Sequence, residues 1–352
     1  MSLTLAEAWT RQIAWCEGNG SPFTARVLDA AWADRQRGGA LAELLPEWAG
    51  DAGADAVPLR VVGALHALAL SGRDATLAAL YPPRQEPGNL ARAVAEAMAS
   101  HRDVIAEYLT VAPQTNEIGR SAVLLPGFAA IARATDLPLA TFEIGASAGL
   151  NQLWHRYRYL LGDVAWGDAT SEVLIRAEWQ GMAPVLPGRI DVASHAACDV
   201  SPIDLHREGA ALRLMSYVWP DQHERLERLR AAISLAQRLH VRVEAGDALT
   251  WAQDALATQR AGCATVLYHS VMWQYLPEPT RNGLRGLIEG TGAHATRNAP
   301  LAWLAFEPPA ADAHMLLTLT LWPGGERRVL AEAHPHGKWI RWLDERTSTS
   351  PM

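Results

Sequence analysis

The feature that most constrains this chain is the stretch Thr141-Phe-Glu-Ile-Gly-Ala-Ser-Ala-Gly-Leu-Asn151. Leu137, Leu139 and Phe142 make a short apolar run that reads as a buried strand. Beyond the stretch, Leu150, Leu153, Trp154 and Tyr157 recur at helical spacing. Between them Gly145, Ser147 and Gly149 occupy every second position. A chain that turns from strand to helix through such small residues is expected to carry bare backbone N–H groups, which favour negative or polar ligand atoms. Glu143, at the end of the strand, adds an acceptor for a ribose hydroxyl.

Two chemistries fit the same bend. Read as Glu-x-Gly-x-Ser-x-Gly, it resembles the nucleotide loop of Rossmann-like methyltransferases that bind S-adenosylmethionine. Read as Gly145-x-Ser147-x-Gly149, it matches the nucleophile elbow of α/β-hydrolases with Ser147 as nucleophile. A third reading is a small-residue turn that packs helix on strand. The elbow requires several strands before the nucleophile and a His-Gly-Gly-type oxyanion segment. Residues 1 to 135 offer neither. They read as helices at Leu3–Ala14, Phe23–Leu45, Leu59–Leu70 and Leu90–Leu109, with no alternating apolar run.

From 137 onward short apolar runs alternate with helices, the mark of an α/β sheet. Strands are expected at Ala140–Ile144, Ala196–Val200, Val241–Ala245, Thr265–His269 and Leu301–Phe306. A closing antiparallel pair follows at Met315–Trp322 and Arg328–His334, and a β-hairpin is inserted at about 163–187. The expected division is a helical N-terminal domain, 1–135, covering the ligand edge of an α/β domain, 136–352.

Candidate residues follow from strand ends and helix starts. Asp199, after the strand around Cys198, is the carboxylate for the ribose hydroxyls, with Asp163 in reserve because such acids usually follow the Gly-rich loop by about 20 residues. Asp247 in Gly-Asp-Ala is either an adenine contact or the N-cap of the next helix. Ligands of such sheets bind beyond the carboxyl ends of the strands, so His269, Ser270 and Gln274 should face the pocket, Glu307 caps a strand at the same edge, and Trp273 lies beside the pocket to stack on a flat ligand. His269 suits proton transfer because histidine titrates near neutrality; Glu307 and Glu117 are the other candidate bases. In Gln114-Thr-Asn-Glu-Ile-Gly-Arg120, Thr115 or Asn116 can cap a helix, or Asn116, Glu117 and Arg120 can touch substrate. His334 and His336 are a close pair, with His314, Glu307 and Asp312 as conceivable metal partners. Zinc needs three or four protein ligands, and no recognised spacing supplies them.

Charge and cysteines narrow the class. A net charge of -7 argues against an electrostatic nucleic-acid binder. Cys16, Cys198 and Cys263 are widely spaced, which suits neither a disulfide framework nor a zinc ribbon. No secretory signal opens the sequence. No apolar stretch approaches the roughly 18 residues of a membrane span. The expectation is a cytoplasmic protein acting on a small molecule, away from membrane and nucleic acid, with its oligomeric state open.

Several stretches together resemble a bacterial family known as domain of unknown function DUF2332. They are Gln114-Thr-Asn-Glu with Arg120, Glu143 to Asn151 with Tyr157-Arg-Tyr159, Cys198-Asp199 with Pro202-Ile-Asp204, Tyr268-His-Ser with Gln274-Tyr-Leu, and His336-Gly-Lys-Trp. The resemblance covers nearly the whole chain and implies no activity. The second resemblance, to S-adenosylmethionine-dependent methyltransferases, spans about 137 to 342. It implies a Rossmann-like, mostly parallel sheet and S-adenosylmethionine as cofactor. Glu143, Gly145, Ala146, Ser147, Gly149 and Asn151 would lie around its methionine and ribose, Asp199 on the ribose, Asp247 and Ala248 near the adenine, and His269 close by. Ser147 in place of a middle glycine and the long gap before Asp199 depart from that pattern. A serine hydrolase and a non-catalytic nucleotide-binding protein are the alternatives.

Overall fold

Helices dominate the first third of the chain for local reasons. In this computed structural model, which describes residues 2–257, 259–309 and 314–344, α1 (Leu5–Gly18) starts in a capping box. Thr4 accepts from the Glu7 backbone while Glu7 reaches back to Thr4. There follow α2 (Pro22–Gln36), α3 (Ala40–Leu44), α4 (Val57–Leu70), α5 (Ala75–Leu80), α6 (Leu90–Ser100) and α7 (Arg102–Thr110). The run of α4 is apolar on nearly every side, and eleven of its fourteen residues are buried. Asp74 and Asn89 cap α5 and α6.

The rest of the chain alternates. It runs through α8 (Ser121–Thr135), β1 (Leu139–Ile144), β2 (Arg158–Leu161), β3 (Val164–Gly167), β4 (Leu174–Gln180), β5 (Val192–Asp199), α9 (Ala210–Ser216) and α10 (His223–Arg238). Then come β6 (Glu244–Ala245), α11 (Ala248–Ala257), β7 (Ala264–Ser270), α12 (Glu278–Gly292), β8 (Leu301–Glu307), β9 (Met315–Trp322), β10 (Glu326–Ala333) and β11 (Trp339–Trp342). The described residues divide into two compact units. One holds residues up to Thr115 with Arg207–Arg230; the other holds Asn116–His206 with residues from Ala231 on.

The helical unit has its own core, with Trp9, Leu28, Leu41, Leu65 and Leu68 fully buried. Its α2 is capped from far along the chain: the Asp221 carboxylate accepts from the N–H groups of Phe23 and Thr24 at 2.9 and 3.0 Å and from the Thr24 hydroxyl at 2.8 Å. Ser21, the local N-cap, makes no such bond.

The second unit is built on an eleven-stranded mixed sheet, in the order β3-β2-β4-β11-β10-β9-β8-β7-β1-β5-β6. From β6 to β8 every neighbour is parallel; β8, β9, β10 and β11 are antiparallel in succession. This is an α/β architecture with an N-terminal helical region. Sequence order reverses between β1 and β7, because the chain steps from β1 to β5 and β6 on one side, then returns to β7 and β8 on the other. Alternation along the strands separates two faces. Ile144, Leu267 and Leu301 pack with Ala252, Leu284 and Ile288 of α11 and α12. On the opposite face Phe128 of α8 meets Trp154 and Tyr268. Gly127 lets α8 lie against β8, since a Cβ there would stand 2.6 Å from Leu304.

Three expectations are corrected. The segment after the Gly-Ser-Gly bend is a 3-10 helix, Leu150–Arg156, rather than an α-helix; buried hydroxyls of Tyr157 and Tyr159 tie off the carbonyls of Leu150 and Trp154. The two strands within the predicted insertion, β3 and β4, do not pair with each other as a hairpin would. β2 and β3 form the hairpin, and β4 joins the main sheet through β11. The strand expected over Val241–Ala245 shrinks to Glu244–Ala245 at the sheet edge, and the side chains of Val241 and Val243 lie against Gly149.

Candidate functional site

Several candidate residues gather at the carboxyl ends of β1 and β7, and the bend after β1 is packed rather than bare. Ala146 N–H donates to the Cys198 carbonyl, Gly149 N–H to the Ala146 carbonyl and Leu150 N–H to Asn116 Oδ1, at 3.1, 2.8 and 2.8 Å. Ser147 N–H donates to Asp199 Oδ2 at 2.8 Å, while Ser201 N–H holds Oδ1 of the same carboxylate at 2.9 Å. A Cβ on Gly145 would lie 2.7 Å from Met272 Cβ, so Met272 covers that glycine. The expectation of free N–H groups therefore fails for Ala146, Ser147, Gly149 and Leu150, whose donors are satisfied within the fold.

Backbone strain concentrates at the same point. Ser147 (φ +54°) and Val271 (φ +56°) are both left-handed without being glycine. For a β-branched residue that conformation is a true outlier. Ser147 Oγ is buried and has no hydrogen-bond partner.

The predicted site residues fall on two faces of the sheet. On the α8 face, Glu143 is 2 % exposed and takes a hydrogen bond on Oε2 from the Tyr268 hydroxyl at 3.1 Å. Burial pushes its carboxyl up to about 8, although Tyr268 and Arg120 pull the other way. Ser121 Oγ donates to Asn151 Oδ1 at 2.7 Å. Glu117 accepts from Gly119 N–H at 2.9 Å and so caps the short 3-10 turn Ile118–Arg120. The cap expected from Thr115 or Asn116 is supplied by that glutamate, and Asn116 supports the bend instead. Arg120 donates to the carbonyls of Ser270 and Pro335, at 3.2 and 3.1 Å.

On the other face, strand register puts His269 opposite Ala305, so that Trp303 and Glu307 flank it diagonally. His269 Nδ1 lies 2.7 Å from Glu307 Oε1, and the Trp303 indole N–H donates to His269 Nε2 at 3.0 Å. The Met272 and Trp273 N–H groups also donate to Glu307 Oε1, at 3.0 and 3.3 Å. Trp273 stacks on the His269 ring, with centroids 5.0 Å apart. Neither ring nitrogen of His269 is paired with Ser147.

The remaining candidates are more open. Gln274 is exposed. Asp247 is exposed and its Oδ1 caps α11 by accepting from Leu249 and Thr250, with Ala248 buried beside it. Asp163 sits in the β2–β3 turn, several strands away from β1, which removes it as a reserve for Asp199. Among the described residues no three His, Cys, Asp or Glu side chains converge as a metal site; Asp312 lies outside them. No helix among them is long and apolar enough to cross a membrane.

Sequence reading passed over Tyr268, Met272 and Trp303. Trp303 had a signal: on a strand it shares a face with Glu307, four residues on. The register that brings His269 between them is a tertiary fact.

The chain belongs to the family described as an uncharacterized protein conserved in bacteria (DUF2332), whose model matches residues 6–342. Searches of curated proteins and of solved structures found no match.

Proposed function

We propose that this member of the DUF2332 family is a methyltransferase-like enzyme that binds S-adenosylmethionine and acts on a small molecule. The observation that carries the reading is the reversal of strand order between β1 and β7, with the Gly145–Gly149 bend directly after β1. In Rossmann-like sheets ligands bind in the crevice at such a switch point.

The donor set fits an adenosyl compound through carboxylates rather than N–H groups. Asp199, at the end of β5, is part-exposed, and each of its oxygens keeps a second lone pair beyond the peptide bond it already accepts. It suits two ribose hydroxyls. Asp247, beyond β6, is exposed and suits the adenine amino group. Glu143 is enclosed, so the ribose contact goes to Asp199 alone, and Glu143, Asn151 and Asn116 support the bend from within. Gly145, Ala146, Ser147 and Gly149 form the floor; His269 and Glu307 are the proton-handling pair. Bound S-adenosylmethionine would supply an electrophilic methyl group. The chain's part is to hold donor and acceptor in line.

Titration calorimetry with S-adenosylmethionine tests this, with ATP and NAD as controls for a general nucleotide binder. Asp199→Asn keeps an acceptor for the bend but loses charge. It is expected to weaken S-adenosylmethionine about tenfold, the loss of roughly one charge-assisted hydrogen bond. A wild-type chain that takes no heat from the cofactor at millimolar concentration rejects the reading. The hydrolase alternative draws support from the left-handed, unpartnered Ser147; labelling by a serine-directed phosphonate, lost in Ser147→Ala, would favour it instead.

A further inference from the structure

His269 is enclosed on every side that matters to its chemistry. It is 1 % exposed. Trp273 lies parallel to its ring at 16°, and Trp303 is tilted against it at 44°. An indole nitrogen can only donate, so the Trp303 bond makes His269 Nε2 an acceptor. The ring proton then belongs on Nδ1, where Glu307 Oε1 receives it. That oxygen also takes the N–H groups of Met272 and Trp273. One carboxylate oxygen thus anchors both the histidine and the strained turn that begins at Val271. Strain of this kind persists at sites where a segment is held in place by its surroundings.

We propose that Trp303 is a positioning residue that, with Glu307 on Nδ1, clamps His269 in the Nδ1-protonated tautomer and keeps the Nε2 lone pair in reserve for a small molecule bearing an O–H or N–H group. The proposal rests on the methyl-transfer reading for its purpose, but not for its geometry. A ligand donor that takes the place of the indole N–H meets Nε2 directly. The ligand's O–H or N–H bond breaks, its electron pair stays on the oxygen or nitrogen, and the proton forms the new bond to Nε2. The ring then carries two protons, and the Nδ1–H bond to Glu307 balances its positive charge. Trp303 returns to Nε2 only after that proton has left, because two donors cannot share the position.

Long-range proton–nitrogen NMR on the full chain labelled with 15N-histidine reads the tautomer directly. His269 is identified by the signals lost in His269→Gln. The wild type should show a protonated Nδ1 and a bare Nε2 whose 15N shift is displaced by the indole hydrogen bond, and Trp303→Phe should move that shift to the value of an unbonded imidazole nitrogen while Glu307 keeps the proton on Nδ1. A protonated Nε2 in the wild type, or an unchanged Nε2 shift in Trp303→Phe, overturns the proposal. Should Trp303→Phe not fold, Glu307→Gln decides: with the indole still on Nε2 the Nδ1-protonated pattern must persist, and a switch to Nε2–H overturns the clamp. Calorimetry with S-adenosylmethionine on the same samples separates the two ideas. The expected tautomer without cofactor binding refutes methyl transfer alone. Cofactor binding with a protonated Nε2 refutes the clamp alone.

Discussion

Glu143 and the buried histidines pull stability in opposite directions with pH. The Glu143 carboxyl is held up to about 8 against an ordinary value of 4.5, first by burial. Between those values the folded sheet unit holds a proton that the unfolded chain has released. Its stability therefore falls with rising pH by about 1.4 kcal/mol per unit, and is fullest below 4.5. His155, in the same unit, is pushed down to about 4 by burial, with Arg156 and His195 adding to it. It resists protonation when folded, so its contribution is present above 6.5 and lost as pH falls towards 4. Of these two groups, only the glutamate acts from pH 6.5 to 8. Glu143→Gln should therefore hold its stability across that interval, where the wild type declines by about 2 kcal/mol. Parallel denaturant curves for the two proteins at pH 6.5 and 8 would show Glu143 to be ionised instead. In the helical unit His66, down to about 4 through burial, predicts the same acid sensitivity as His155.

Elements in this chain depend on side chains far away in sequence. Helix α2 has Pro22 in its first turn and Ser21 before it, the local marks of a helix start. Its actual cap is Asp221, almost 200 residues later. Asp221→Ala leaves two peptide N–H groups and a buried threonine hydroxyl without their acceptor. The expected cost is about 1–3 kcal/mol. Thermal melts of Asp221→Ala and Asp221→Asn should rank the alanine lower, and equal midpoints would remove the capping role. The same dependence explains the bend after β1. Its spacing of small residues was plain in the sequence, but the N–H groups of Ser147 and Leu150 are met by Asp199 and Asn116, from elsewhere in the fold.

At the scale of the molecule, helical texture to 135 and the parallel strands from 139 were legible because each is a local period of apolar residues. The edge was not: β6 is too short to announce itself, and β4 pairs with β11 rather than with its own neighbours in sequence. The site was half legible. Glu143, Ser147, Asp199, His269 and Glu307 are candidates that strand ends suggest, but which face each lies on depends on alternation and register together. Two distant motifs also prove to be one contact. Gly119 and the His336-Gly337 backbone lie so close that a Cβ on Gly119 would strike the His336 carbonyl, and one on Gly337 the Gly119 carbonyl. Gly337 is also left-handed, at φ +68°. Gly337→Ala should cost roughly 2 kcal/mol or more from conformation and clash together; an unchanged unfolding midpoint would mean that the crossing relaxes freely.

The pairing of β4 with β11 has a consequence for synthesis. Strands β2, β3 and β4 leave the ribosome more than 150 residues before the strand that splices them into the main sheet. Until β11 emerges, β4 offers an unpaired rim to any passing extended chain. A nascent polypeptide stalled before residue 339 should therefore recruit chaperones at that rim, and completion of the last strand should release them.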